Sequence, residues 1–196
     1  MNEADEGGNG DPPDLVRRLS LKKATVAVRP GRNDLVISAD TIVSLNGEVL
    51  GKPDDSDHAI TMLTRLRGRE HAVFSGLTIL DLERHCIVTE TVRTPVVMRE
   101  YSDEEIAHYV ASGDPLDKAG AYAIQHASFD PVERIEGCYA NVMGLPLCHV
   151  YRALIALGVR PPVHVLESCP YSVAHGCEWA PGILGCQPVV SEAPTF

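Results

Sequence analysis

The sequence predicts an α/β domain, with a mixed, twisted sheet flanked by helices and an irregular C-terminal tail. Strand and helix patterns alternate along residues 11–158, which is the arrangement of α/β proteins. Residues 159–196 instead carry six prolines and no sustained periodicity, so we expect an appended loop or tail there. Residues 1–10 are rich in glycine and acidic side chains, and we expect them to be disordered or to form a loop.

The domain begins with the pattern of a helix followed by a β-hairpin. Asp11 and Pro12 are typical of a helix start, since aspartate can cap free amides and proline fits the first turn. Residues 35–45 look like a strand. Asn46-Gly47 after it is a strong two-residue hairpin turn, so a second, short strand is expected.

A helix, a β-rich stretch and a second helix follow the hairpin in that order. The β-rich stretch covers residues 71–98. Ser102 and Glu105 form a capping box at the start of a helix that Gly113 ends. Before the β-rich stretch, an apolar stripe at helical spacing ends at Gly68 and consists of Ala59, Met62, Leu63 and Leu66.

A last amphipathic helix closes the domain. It begins at Pro146 and ends at Gly158. We expect one apolar face on it, formed by Leu147, Val150, Tyr151, Leu154 and Ile155.

Charge and composition exclude several classes of function. The 17 basic and 27 acidic residues give a formal charge of -10 without a visible basic patch, so a nucleic-acid polymer is not an expected partner. No apolar run approaches the roughly 20 residues that cross a bilayer, and the N-terminus lacks a signal-peptide pattern. We therefore expect a cytoplasmic protein without a membrane partner, in which a homodimer is possible.

The six cysteines are expected to stay reduced, because no secretion signal accompanies them. The tail lacks the CxxC spacing of a structural zinc site. We interpret it as irregular polypeptide packed on the domain through Trp179 and Ile183, with a zinc-binding interaction module as the alternative. The residues that this alternative would use are Cys169, Cys177, Cys186, His164 and His175.

The segment ISADTIV, residues 37–43, places a carboxylate within an apolar stretch. Asp40 is expected just past the end of a strand, where catalytic or metal-binding groups of α/β proteins often lie. It could hold Mg²⁺ or accept a proton from an attacking water. The alternative is an aspartate that caps a turn, with Thr41 completing it.

The segment LGKP, residues 50–53, places Lys52 between Gly51 and Pro53. Glycine permits close backbone approach and proline stiffens the exit, so the ammonium could be held against a phosphate. An ordinary surface lysine is the alternative. The segment is not a P-loop, because GxxxxGK[ST] is absent.

The segment GDPLDKAGAYAIQ, residues 113–125, combines charged, small and amide side chains. Asp117 and Lys118 precede small residues that leave room for a ligand, and residues 121–124 look like a strand. The Gln125 amide offers a donor and an acceptor for reading a base edge. A buried glutamine that bonds the main chain is the alternative.

Together these segments resemble the Maf family of nucleotide pyrophosphatases, which cut nucleoside triphosphates between the α and β phosphates. The strings ISADTIVSLNGEVLGKP, AITMLTRLRGREHAVFSG, GDPLDKAGAYAIQ and IEGCYANVMGLPL occur in the family's order, over about residues 11–158. The resemblance implies a Maf/ITPase-like fold, a divalent cation (Mg²⁺ or Mn²⁺) as cofactor and a nucleoside triphosphate as substrate.

The resemblance also implies roles for individual residues. Asp40 matches the catalytic acid-base carboxylate, and Asn141 shapes the site without an assigned role. The ADT and AIQ combination looks like the subgroup that acts on dTTP and UTP, and modified pyrimidine nucleotides are also possible. The substrate-binding positions implied are Lys23, Lys52 and Lys118 at the triphosphate, Asp117 in the same pocket, and Thr41 and Gln125 at the base.

One departure from the family concerns its first strand and the SxSPRR loop after that strand, which do not occur in this sequence. We therefore expect an unpaired sheet edge beside the strand that ends at Asp40, and an open cleft. An arginine such as Arg17 or Arg18 could instead fill the phosphate site. A catalytically impaired nucleotide-binding protein is accordingly the alternative function.

Overall fold

The computed structural model describes residues 11–29, 31 and 34–194. Helices flank one sheet in this part of the chain, which confirms the predicted α/β class. The helices are α1 (Pro12–Ala27), α2 (Ser56–Leu66), α3 (Asp103–Ala111), α4 (Tyr139–Val142), α5 (Leu147–Ala156), α6 (Val165–Ser168), α7 (Pro170–His175) and α8 (Ala180–Gly185).

The sheet of the described residues has six strands in the order β2-β1-β3-β4-β5, with β6 pairing β4. Every pairing in it is antiparallel, so the expectation of a mixed sheet is corrected. Tight turns join β1 to β2 and β3 to β4, and such turns connect antiparallel neighbours. The strands are β1 (Leu35–Leu45), β2 (Glu48–Leu50), β3 (Glu70–Asp81), β4 (Cys86–Met98), β5 (Val132–Ile135) and β6 (Val190–Glu192).

The predicted hairpin and capping box are both present. Asn46 and Gly47 have φ angles of 54° and 86° and connect β1 to β2. Positive φ at both central residues is the requirement of a type I′ turn. At the start of α3, the Ser102 hydroxyl accepts from the Glu105 amide and the Glu105 carboxylate accepts from the Ser102 amide.

Helix α1 lies unusually close to the centre of the sheet. A Cβ atom on Gly76 of β3 would come within 2.0 Å of the Val16 carbonyl oxygen, so only glycine allows this approach. The Ser20 hydroxyl contacts the Thr78 hydroxyl at 2.9 Å. Asp11 precedes the helix as expected, although its side chain makes no capping hydrogen bond.

Helices α2 and α3 cover the other part of the sheet. The apolar stripe predicted for α2 is buried, and the helix ends just before Gly68, whose φ is +61°. This main core also contains Val43, Leu45, Leu50, Val73, Val96, Met98, Tyr101, Ile106, Tyr109, Tyr122 and Phe129.

One edge of β1 is unpaired within the described residues. Strand β2 pairs only with Val43, Ser44 and Leu45. On the side opposite β3, residues 35–42 therefore pair with no described strand. This agrees with the expected unpaired edge.

The C-terminal segment differs from the expected irregular tail. It contains α6, α7 and α8, and β6 adds to β4 with Glu192 opposite Cys86. Cys169 and Ala180 are buried. The prolines begin helices here, because Pro170 and Pro181 occupy the first turns of α7 and α8.

The orientation of α5 also differs from the predicted one. Its buried residues are Cys148 and Ala153, whereas Ile155 is 44% exposed. The C-terminal segment covers part of the helix, so more than one face of α5 has a neighbour. Arg152 bonds Glu90 of β4 at 2.7 Å and the Ile183 carbonyl at 3.3 Å, which joins this segment to the sheet.

All six cysteines are free thiols. Burial raises the pKa of Cys138 to about 11 and that of Cys148 to about 12, with smaller contributions from neighbouring thiols. Within the described ranges, no group of three or more His, Cys, Asp or Glu side chains is placed to hold a metal ion. Of the helices described, none has the length and apolar character needed to cross a membrane.

Candidate active site

A cleft of about 340 Å³ opens beside the middle of β1. Strand β1, the loop after β2, residues 117–125 and residues 142–144 form its walls. All of the site residues predicted from the sequence line it, namely Lys23, Asp40, Thr41, Lys52, Asp117, Lys118 and Gln125.

Asp40 lies within β1, opposite Gly76 of β3, which agrees with the strand predicted over residues 35–45 and corrects the expectation that Asp40 follows a strand end. The strand continues because its pairing with β3 extends as far as Ser44. The Asp40 side chain is only 8% exposed and forms an ion pair with Lys23 of α1. Ser38, two residues earlier on the same strand face, donates to the Ser20 carbonyl of α1.

Lys52 and Lys118 lie on two segments that are tied together. The Gly120 amide donates to the Gly51 carbonyl at 3.0 Å. Gly120 has a φ of +70°, and a Cβ there would lie 2.9 Å from a methyl carbon of Val43. Pro53 is buried. The Lys52 segment is therefore fixed, as its glycine and proline predicted.

Lys118 is held by two carboxylates. Its Nζ donates to Asp117 Oδ1 at 2.6 Å and lies 3.3 Å from Asp114 Oδ1. The bond to Asp117 raises the pKa of Lys118, although burial opposes this effect. The same bond lowers the pKa of Asp117, whose side chain is 80% exposed at the rim of the cleft.

Residues 121–124 do not form the expected strand. Ala119–Ala121 is a 3₁₀ turn in which Ala121 has a φ of 60°. Gly120 and Ala121, both with positive φ, bend the backbone away from an extended path. Gln125 follows in a turn and is exposed, so the interpretation as a buried glutamine is wrong.

Hydrogen bonds to neighbouring residues hold the Thr41 side chain in place. The Thr41 hydroxyl contacts the Ser75 hydroxyl at 2.6 Å and the Gly144 carbonyl at 3.4 Å. Asn141, fully buried, donates to the Val73 carbonyl and to the Thr94 hydroxyl. Ser75 escaped the sequence interpretation, although a serine beside glycine in an apolar strand is a usable signal.

The lining of the cleft gathers several lysines of an otherwise acidic chain. Its lining carries three ammonium groups, Lys23, Lys52 and Lys118, against the two carboxylates Asp40 and Asp117. The whole chain has a formal charge of -10. Three ammonium groups gathered in one cleft can each contact a phosphate of a small polyanion. Neither Arg17 nor Arg18 lines it, and Arg17 lies 3.6 Å from Asp14.

A family model described as Maf-like protein matches residues 1–157. The chain belongs to the Maf family.

Several relatives share much of this Maf sequence. A dTTP/UTP pyrophosphatase of Dictyoglomus turgidum is 46% identical over 157 residues, covering 79% of this chain and 81% of the relative. One from Geotalea uraniireducens is 46% identical over 158 residues, covering 80% and 81%. One from Geobacter sp. strain M21 is 48% identical over 148 residues, covering 76% and 77%.

A buried pair lies behind the cleft of this Maf chain. The Tyr122 hydroxyl and His71 Nε2 are 2.8 Å apart, and Tyr122 lines the cleft. Burial lowers the pKa of His71 to about 4, so its imidazole is neutral at pH 7. Sequence reasoning missed this pair, because neither residue interrupts an apolar run in a recognisable way.

The donor set in the Maf cleft fits a divalent cation that arrives with a phosphate ligand. Mg²⁺ is usually bound through one or two carboxylates, with substrate phosphates and water completing its shell. Asp40 and Asp117 supply two carboxylates. A site made by protein ligands alone would need more donors, and the described residues contain no such cluster.

Proposed function

We propose that this protein hydrolyses nucleoside triphosphates to the monophosphate and pyrophosphate, with dTTP and UTP as preferred substrates. The observation that carries the proposal is the convergence of Asp40 with three lysines in one cleft of a Maf chain. The relatives named as dTTP/UTP pyrophosphatases support the pyrimidine preference.

In this proposal Asp40 is the general base. Water attacks the α phosphorus, the bond from that phosphorus to the bridging oxygen breaks, and pyrophosphate leaves. Asp40 accepts the proton of the attacking water. Its ion pair with Lys23 orients the carboxylate, and the small exposure of Asp40 limits competing contacts with bulk water.

Lys52 and Lys118 are proposed to bind the triphosphate, with Lys23 as a further phosphate contact beside its ion pair with Asp40. The Gly120 to Gly51 hydrogen bond holds their two segments together, so Lys52 and Lys118 can act on the same ligand. Preorganised positive charge stabilises the charge that develops on departing pyrophosphate. Asp117, which bonds Lys118 at the rim, is proposed to keep that lysine near the cleft before substrate binds.

Base selection is assigned to Thr41 and Gln125. The hydrogen bond between the Ser75 and Thr41 hydroxyls holds Thr41 in place. The exposed Gln125 amide presents both a donor and an acceptor. These groups are suited to reading the edge of a pyrimidine.

A divalent cation, Mg²⁺ or Mn²⁺, is the proposed cofactor. When bound, it would neutralise charge on the triphosphate. In this proposal Asp40 and Asp117, which both line the cleft, would hold it together with the phosphates of the substrate.

The wider setting of the activity is proposed from the sequence arguments. We propose that residues 11–158 form the catalytic unit and that the protein acts in the cytoplasm. A nucleic-acid polymer is not proposed as a partner, because the chain carries a formal charge of -10. A homodimer is compatible with these proposals.

Product analysis of the purified chain tests the proposal. dTTP, UTP, ATP and GTP are each incubated with the protein and Mg²⁺, with EDTA as the control. We expect equal amounts of monophosphate and pyrophosphate, faster from dTTP and UTP. Orthophosphate released together with a nucleoside diphosphate would contradict the bond assignment, and binding without turnover would favour the impaired alternative.

A further inference from the structure

Tyr109 of α3 makes two hydrogen bonds toward the cleft without lining it. Its hydroxyl donates to Asp114 Oδ2 at 2.7 Å and accepts from the Ala123 amide at 3.1 Å. The residue is 2% exposed. A buried hydroxyl that both donates and accepts has a fixed direction.

Each of the two bonds leads to one part of the proposed site. The other oxygen of Asp114, Oδ1, lies 3.3 Å from Lys118 Nζ, which connects Tyr109 to the proposed phosphate contact. Ala123 lines the cleft and precedes Gln125 by two residues, which connects Tyr109 to the proposed base contact.

The ring of Tyr109 is itself anchored. It stacks on Phe129 with centroids 4.3 Å apart and planes 15° apart, and it packs against His126 with centroids 4.6 Å apart. Burial is the main cause that raises the pKa of Tyr109, and the bond to Asp114 adds to it. The phenol is therefore a neutral donor throughout the physiological pH range.

We propose that Tyr109 is a positioning residue for the cleft. Its hydroxyl holds Asp114, and through Asp114 it holds Lys118. Its second bond fixes the backbone of Ala123, so that the phosphate-binding ammonium and the base-reading amide keep a set separation. When a phosphate binds Lys118, the contact of Lys118 with the exposed Asp117 breaks, whereas its contact with Asp114 remains. This inference rests on the proposed function.

The substitution Tyr109→Phe removes one oxygen and keeps the packed ring. The matched control is Tyr101→Phe, because Tyr101 is also 2% exposed and its hydroxyl donates to the Leu63 carbonyl at 2.8 Å, away from the cleft lining. Both variants should lose similar stability. We expect only Tyr109→Phe to lower kcat/KM for dTTP, by about tenfold, which corresponds to one buried hydrogen bond.

A double-mutant cycle with Asp114→Asn tests the proposed route. If Tyr109 acts through Asp114, each single variant loses about tenfold in kcat/KM and the double variant loses little more than either one. Losses that multiply across the two sites would contradict the route. If Tyr109→Phe does not fold, Asp114→Asn alone decides, and an unchanged kcat/KM in that variant overturns the inference.

Failure of the inference is distinguishable from failure of the proposed function. Wild-type protein that turns over no nucleoside triphosphate would contradict the proposed function. Affinity for inorganic tripolyphosphate, measured by calorimetry, would still test the inference, and we expect Tyr109→Phe to bind about tenfold more weakly than wild type. The inference would be overturned if Tyr109→Phe bound tripolyphosphate as tightly as wild type. It would also be overturned if Tyr109→Phe and Tyr101→Phe lost affinity equally, or if wild type did not bind tripolyphosphate.

Discussion

The Gly120 amide donates to the Gly51 carbonyl at 3.0 Å, and this single backbone bond joins the two segments that carry Lys52 and Lys118. The bond is possible because Gly120 adopts a left-handed conformation directly against Val43 of β1. The proposed triphosphate site therefore depends on a residue that has no side chain.

The substitution Gly120→Ala should separate the two segments. A methyl group there is strained by the positive φ and would come within 2.9 Å of Val43. We expect the free energy of unfolding to fall by about 2 to 4 kcal/mol and KM for the triphosphate to rise. The matched control is Gly113→Ala, since Gly113 has a φ of +78° and open space around it.

Urea denaturation measures this difference. Gly113→Ala should lose only about 1 kcal/mol from backbone strain and keep the wild-type KM. Equal losses in the two variants would show that the approach to Val43 does not matter.

Removal of the C-terminal segment should destabilise the domain. Truncation after Arg160 removes α6, α7, α8 and β6, and with them the stacking of Tyr171 on Tyr139 at 4.9 Å. Burial of several apolar side chains is lost as well, so the thermal midpoint should fall by about 10 °C. Removal of residues 193–196 alone is the control. It loses the Ala193 to His85 backbone hydrogen bond but keeps α6, α7, α8 and β6. A midpoint within about 2 °C of wild type in both proteins would show that the C-terminal segment contributes little to the stability of the domain.

His71 should make the fold sensitive to acid. Its folded pKa of about 4 lies below the ordinary value near ~6.5, so between these values the unfolded chain binds more protons. Stability is fully present above about pH 6.5 and falls by about 3 kcal/mol as the pH drops toward about 4. His149, whose pKa burial also lowers to about 4, adds to the same loss.

Chemical denaturation of His71→Gln at pH 7 and pH 4 checks this expectation. The variant cannot gain a proton at this position, so its loss of stability between the two pH values should be smaller by about 3 kcal/mol. An unchanged pH dependence in His71→Gln would remove His71 from the acid response.

Local signals in the sequence predicted much of the fold. Asn46-Gly47 and the Ser102 and Glu105 pair act over four residues or fewer, and both form as expected. Long-range packing determines which face of a helix is buried, and local signals do not predict this. Ile155 is exposed although it belongs to an apolar pattern, since a helix with neighbours on several sides is not oriented by its own periodicity.

The candidate site was predicted residue by residue, but its geometry was not. The sequence placed Asp40 at a strand end, and the structure places it within a long strand whose Gly76 neighbour admits α1. Ala121, at the start of the strand expected over residues 121–124, adopts a positive φ. Ser75 and Tyr109 escaped notice, because each acts through a hydrogen bond to a residue distant in sequence.

The rate of dTTP cleavage by Asp40→Asn tests the central claim most directly. The substitution keeps the shape of the side chain and removes its charge, and a general base contributes roughly 10² to 10⁴ in rate. Asp54→Asn, at an exposed carboxylate outside the cleft, is the control. We expect wild type and Asp54→Asn to release dTMP and pyrophosphate at equal rates, and a folded Asp40→Asn protein to lose at least about a hundredfold. A near-wild-type rate in folded Asp40→Asn would contradict the account.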